Sequence, residues 1–200
     1  LNINWADKNI PSIIEAWQLG TQTGNAVAQV LYGDYNPSGK LPMSFPRSVG
    51  QIPIYYNYKN TGRPGPANTV FWSQYNDQLN TPLYPFGYGL SYTTFEYSNL
   101  KIDNKNLTVG NSINVSVDLK NTGNYAGKEV VQLYIKDRFA SVTRPVRELK
   151  GFEMISLNPG EIKTVNFEIS ETLLQFYSAN EIWESESGFF DIFIGTNSNA

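Results

Sequence analysis

From Thr94 onward the apolar residues keep a period of two, and that rhythm constrains the fold more than any other feature of the chain. Ile113, Val115, Val117 and Leu119 alternate with Asn114, Ser116, Asp118 and Lys120. Successive side chains of an extended strand point to opposite faces, so such a stretch buries one face and wets the other. Val165, Phe167 and Ile169 repeat the pattern, and Phe190, Ile192 and Ile194 do so again. Residues 129–135 are more continuously apolar, and residues 149–157 are interrupted by Gly151. Turn formers punctuate them, in Asn121-Thr122-Gly123-Asn124 and Asn158-Pro159-Gly160-Glu161. Short strands separated by turns every roughly 8–15 residues predict a two-sheet β-sandwich over residues 94–200.

Cysteine is absent, so the disulfide of antibody domains has no counterpart and an immunoglobulin-like sandwich of the fibronectin type III kind fits better. The same absence removes thiol nucleophiles and Cys-ligated zinc. Histidine is absent too, which removes a Ser-His-Asp triad and His-ligated metals. Carboxylate, Lys, Tyr and Ser chemistry remains, and no metal or other cofactor is implied. Net charge is −3 and no basic run occurs, which argues against nucleic acid and anionic membranes as partners. No stretch approaches the ~20 apolar residues of a membrane span, and Leu1-Asn2-Ile3-Asn4 does not open a signal peptide.

The first 50 residues have another texture. The run S-I-I-E-A-W-Q-L, residues 12–19, stops at Gly20 and reads as a buried strand, with a short helix as the alternative. Residues 21–32 read as a helix with Ala26, Val27, Val30 and Leu31 on one face, Thr21 or Thr23 as cap, and Gly33 at its end. Asn36-Pro37-Ser38-Gly39 is a turn, after which Leu41, Met43 and Phe45 alternate with Pro42 and Ser44 as a short extended run. Strand, helix and strand make a partial α/β unit, a β-α-β remnant whose remaining strands are expected before Leu1. The loop between Leu19 and Gly24 falls at a strand's carboxyl end, where open α/β sheets bind ligands, but no phosphate motif is present.

Residues 51–93 form an aromatic, Gly/Pro-rich linker and junction between these two regions. Tyr55, Tyr56, Tyr58, Phe71, Trp72 and Tyr75 sit among Asn, Gln, Lys and Arg. Bare aromatic surface is costly, so the loop is expected to be ordered, either packed on a neighbouring domain or stacked against sugar rings. Pro82 to Asn99 then straps Tyr84, Phe86 and Tyr88 between Pro85, Gly87 and Gly89.

Several segments carry a family resemblance, and they occur in the family's order. They are W-A-D-K-N-I-P-S-I-I-E-A-W (5–17), G-N-A-V-A-Q-V-L-Y-G-D-Y-N-P-S-G-K-L-P-M-S-F-P (24–46), P-L-Y-P-F-G-Y-G-L-S-Y-T-T-F (82–95), N-T-G-N-Y-A-G-K-E-V-V-Q-L-Y (121–134), R-E-L-K-G-F-E (147–153) and L-N-P-G-E (157–161). The chain resembles the carboxyl-terminal part of a glycoside hydrolase family 3 β-glucosidase. The resemblance implies the end of an α/β sandwich domain over residues 1–50 and a fibronectin type III-like domain over 94–200. It implies a retaining, two-carboxylate mechanism in the parent protein, with a β-linked oligosaccharide or glucoside as substrate and a periplasmic or secreted location.

The family's nucleophile Asp and acid/base Glu have no matching positions here, and the resemblance places both upstream of Leu1, in amino-terminal catalytic domains. Asp7, Asp34 and Glu96 read as turn or surface residues. The loop resembling the family's G-Q-E-G-G departs from it, with Gln22 where the acid would stand in Gly20-Thr21-Gln22-Thr23-Gly24. The segment alone is therefore expected to brace catalytic domains rather than cleave. Arg63, Trp72 and Tyr75 are the candidates for substrate contact. The other readings are a non-catalytic carbohydrate-binding or structural module, and a parent acting on β-xylosides.

Overall fold

The computed structural model describes residues 1–63 and 72–200. Two short helices open the chain, α1 over Asn4–Asn9 and α2 over Thr23–Leu31. The sandwich follows: β1 Phe95–Ile102, β2 Ser112–Asn121, β3 Gly127–Asp137, β4 Glu148–Leu157, β5 Ile162–Ser170, a helical turn α3 at Glu171–Leu174, the two-residue strands β6 Phe176–Tyr177 and β7 Trp183–Glu184, and β8 Phe190–Gly195. One sheet has the order β1-β2-β5 and the other β4-β3-β8, all antiparallel.

The period of two does what it predicts. Ile113, Val115, Val117 and Leu119 of β2 face inward beside Val165, Phe167 and Ile169 of β5, with Val115 opposite Phe167 and Val117 opposite Val165. Val131, Leu133 and Ile135 of β3 close the core from the other sheet. Each such aliphatic side chain gains about 1.5–3 kcal/mol on burial. Gly151, the interruption in β4, sits over this core: a Cβ there would stand 3.2 Å from a ring carbon of Phe167. A side chain there would have to displace that ring by a few tenths of an ångström, so the gap in the apolar pattern coincides with a tight contact.

The amino region differs from expectation. Residues 12–19 form no strand; Ile13, Ile14, Trp17 and Leu19 are each 42–50% exposed, and Trp17 takes a positive φ of 48°. A strand needs a hydrogen-bonded neighbour, and the described residues supply none here. Asp7, which reads as a turn or surface residue, lies in the helix α1 instead. The α2 helix is present and ends as predicted at Gly33, whose φ of +82° accommodates the chain reversal. Its predicted threonine cap is replaced: the Thr23 hydroxyl donates backward to the Gly20 carbonyl.

The run 41–45 pairs with residues 83–88 rather than with a β-α-β neighbour. Leu41 N donates to Tyr88 O and Phe45 N to Tyr84 O, both at 2.8 Å, and Gly87 N returns to Leu41 O. Phe45 is fully buried between Trp17, edge-on at 6.2 Å, and Tyr84 at 6.1 Å. Among the described residues no helix is long and apolar enough to cross a membrane.

Candidate functional site

The amino region meets the sandwich along β3. Side chains of a strand alternate between faces, and here both faces are covered, which accounts for the continuous apolar run in 129–135. One face carries Val131, Leu133 and Ile135 into the core, and the other carries Gln132 and Tyr134, both buried, toward residues 56 and 86–87. Gln132 Nε2 donates to Gly87 O at 3.1 Å and Thr196 O at 2.7 Å, while Tyr134 donates its hydroxyl to Gln132 Oε1. Tyr56 stacks on Phe86 at 4.2 Å and meets Tyr134 edge-on at 6.0 Å. Gly87 has φ +79°, and a Cβ on it would lie 2.1 Å from Gln132 Oε1, so only glycine lets the backbone come this close.

An ion pair lies at the head of the same strand. Lys40 Nζ reaches both carboxylate oxygens of Glu129, at 3.0 and 3.1 Å, and also donates to Gly89 O at 3.0 Å. Tyr97 donates its hydroxyl to Glu129 Oε1 at 3.3 Å. Both side chains of the pair are nearly sealed from water, at 11% and 5% exposure. Burial outweighs the attraction of Lys40 and holds the Glu129 carboxyl above its ordinary range. Asn36 makes a second joint: its amide donates to Ala126 O at 3.0 Å, and its carbonyl accepts from Ser91 Oγ and Tyr92 N.

Between the two regions runs a cleft of about 300 Å³. The backbone of residues 58–59 closes one side, with Val146 N donating to Tyr58 O at 2.9 Å and Lys59 bridged to Pro145. Tyr55, Tyr58 and Asn60 line it from the loop, and Lys136, Arg147 and Phe193 line it from the sandwich.

The candidates for substrate contact sit farther along the same loop. Arg63 is exposed and its carbonyl accepts from Ser73 N at 3.2 Å, which sets Arg63 across from the segment that holds Trp72 and Tyr75. Asn80 pins that segment, accepting from Tyr75 N at 3.1 Å and donating to Ser73 O at 2.8 Å. Trp72 is half-buried and Tyr75 is 41% exposed. Phe71 lies outside the described residues.

Asp7 accepts from the Tyr84 hydroxyl at 2.5 Å; burial first, and this bond second, push the Tyr84 phenol up to about 12. Asp34 is exposed, and Glu96 is exposed on β1 opposite Lys120. Gln22 accepts from Asn25 Nδ2 at 2.8 Å, an intrahelical contact at the start of α2. Among the described residues no group of three acidic side chains is placed to hold a metal ion. Reading the sequence missed Lys40, Glu129 and Gln132. Their only signal was a Glu and a Gln inside an otherwise apolar strand, where an unpaired polar group is costly.

Two family models match in the order in which the two regions occur. The Glycosyl hydrolase family 3 C-terminal domain covers residues 1–92, and the Fibronectin type III-like domain covers residues 129–198. The chain belongs to glycoside hydrolase family 3. Among family 3 relatives it is 50% identical to a periplasmic beta-glucosidase of Salmonella typhimurium, over 96% of this chain and 25% of the relative. It is 45% identical to a beta-xylosidase of Formosa agariphila, over 100% of this chain and 27% of that protein. The crystal structure of a beta-glucosidase from Listeria innocua, in complex with gluconolactone, superposes with a TM-score of 0.93 at 44% identity, covering 99% of this chain and 28% of the other. The chain thus spans about a quarter of the length of the curated family 3 relatives that it matches.

Proposed function

We propose that this chain is the bracing segment of a retaining β-glucosidase that removes terminal β-linked glucose from glucosides and oligosaccharides. The nucleophile Asp and the acid/base Glu belong to catalytic domains preceding Leu1. In this reading residues 1–50 complete an α/β domain, residues 51–93 are the junction, and residues 94–200 are the sandwich. The observation that carries it is the packing of the amino region. Trp5, Ile13, Ile14, Trp17 and Leu31 are 43–71% exposed, while Phe45 is sealed. Apolar surface on that scale requires a cover, and the catalytic domains supply it. The Lys40–Glu129 and Gly87–Gln132 contacts hold the sandwich against the covered region.

Arg63, Trp72 and Tyr75 contact the substrate at the rim of the site, an aromatic and cationic set suited to ring faces and hydroxyls. Two observations support the substrate and the location. The Salmonella relative is named a periplasmic beta-glucosidase, and on that likeness this protein works in the periplasm or is secreted. A β-xyloside is the second substrate reading, favoured by the name of the Formosa relative.

The test uses aryl β-glucoside and aryl β-xyloside. The 200-residue chain alone turns over neither, and the protein with its preceding domains turns over the glucoside faster. Turnover by the isolated chain that is lost on mutating one of its own carboxylates would refute the bracing role. A preference of the longer protein for xyloside would move it to the second reading. Trp72→Ala in the longer protein is expected to raise KM about tenfold or more, consistent with loss of one stacking contact. An unchanged KM removes Trp72 from the rim.

A further inference from the structure

The cleft between the junction loop and the sandwich is lined by aromatic, polar and cationic side chains. Its volume, about 300 Å³, is at the small end of ligand pockets. Its position is fixed by backbone: the Tyr58–Val146 hydrogen bond and the Lys59–Pro145 bridge tie the loop to the segment that leads into β4. Tyr56 is clamped behind it by Phe86 and by Leu149 N, which donates to its hydroxyl at 3.2 Å. Tyr55 and Tyr58 then stand 61% and 57% exposed beside the opening. Aromatic faces held at low conformational cost bind the C–H faces of pyranose rings.

The charge of the lining narrows the choice. Lys136 and Arg147 both face the cleft, and among the described residues no Asp or Glu lines it. Arg147 is stacked on Phe193 at 4.5 Å and donates through one terminal nitrogen, to Ser198 O at 2.6 Å and Ala200 O at 2.8 Å. These contacts engage one terminal nitrogen and hold the guanidinium at the edge of the cleft. Lys136 lies opposite Asp191 across β3 and β8 and is attracted to it, though the direct partner of that carboxylate is Arg138 at 2.5 and 2.9 Å. Two cationic side chains at a cleft without an acidic lining side chain, beside two open tyrosines, match a sugar ring that carries a carboxylate.

We propose that this cleft is a binding site for an anionic saccharide, a hexuronate unit whose ring lies against Tyr55 and Tyr58 and whose carboxylate points to Lys136 and Arg147. The proposal does not depend on the glycosidase reading.

Calorimetric titration of the full-length protein carrying this segment tests it, with glucuronate, galacturonate, glucose and acetate as separate probes. A hexuronate is expected to bind with Kd on the order of 1 mM, the range for one charged contact and one stacked ring. Glucose and acetate should each bind about tenfold more weakly at this site, because each lacks half of the recognition. Lys136→Met keeps the aliphatic stem and should weaken hexuronate about tenfold while leaving glucose unchanged. Tyr58→Ala should weaken it by a similar factor, with the thermal midpoint unchanged because the Tyr58 contact to Val146 is through backbone. Hexuronate affinity should also fall with added salt, and glucose affinity should not. Failure to bind either hexuronate, equal binding of acetate, or binding that survives both substitutions would overturn the proposal.

Discussion

Replacing Lys40 by Met removes the cation from a pair that water barely reaches. Glu129 then keeps only the Tyr97 hydroxyl at 3.3 Å, inside a site where its side chain is 5% exposed. Removing one partner of a buried ion pair strands the other, at a cost of about 3–5 kcal/mol. For a protein of this size that corresponds to a fall in Tm of about 10 °C. Glu129→Gln leaves a neutral amide that still accepts from Lys40 and Tyr97, and should cost about 1–2 kcal/mol. The double variant should recover most of the loss of Lys40→Met, since the stranded charge is gone.

The pH dependence carries a sign. The Glu129 carboxyl titrates above its ordinary 4.5 in the folded chain, so the folded state binds this proton more tightly than the unfolded one. Its contribution is full in acid and is lost as pH rises through the raised value. Without Lys40 the carboxyl rises further, so Lys40→Met should regain stability on moving from about pH 8 to about pH 5, while the double variant stays flat over that window at this site. Urea unfolding followed by tryptophan fluorescence measures all four proteins. A Lys40→Met variant within about 0.5 kcal/mol of wild type, or a loss that deepens in acid, would refute the reasoning.

Two further substitutions probe the same architecture. Asn121 is fully buried; its amide donates to Tyr125 O and Leu157 O and its carbonyl accepts from Thr93 Oγ1 and Gly123 N, so Asn121→Ala should cost about 2–4 kcal/mol by denaturant titration. Gly87→Ala places a methyl 2.1 Å from Gln132 Oε1 at a positive φ, and should cost about 3 kcal/mol or more, with the Gln132 side-chain amide resonances shifted in NMR spectra.

The sandwich was legible because its strands each present one wet and one dry face, and a period of two records that directly. β3 was legible as a strand, but its continuous apolarity gave no hint of what covered the second face. The answer is Tyr56, Phe86 and Gly87, residues 45–78 positions away in the chain. The two-residue strands β6 and β7 are too short to leave any period. The run 12–19 was misread as a strand because apolarity reports a need for cover, and does not say whether a neighbouring strand provides it. The Lys40–Glu129 pair joins positions 89 apart, and nothing local in either neighbourhood specifies the partner. Arg63, Trp72 and Tyr75 were chosen for chemical type, and the loop geometry sets their backbones near one another through Ser73 and Asn80.

The distribution of sealed aliphatic side chains bears on biosynthesis. Among the described residues, all eleven members of the main core lie between Ile113 and Ile169. The ribosome therefore releases Lys40, Tyr56, Phe86 and Gly87 before the β-strand on which they will rest has been made. Chains fold from the amino terminus in step with translation where they can, at about 5–20 residues per second. Here Asn36 and Lys40 must wait for Ala126 and Glu129, an interval of about 5–20 seconds during which this joint has no second half. Nascent-chain capture by chaperones should peak in that interval and decline once β3 clears the exit tunnel.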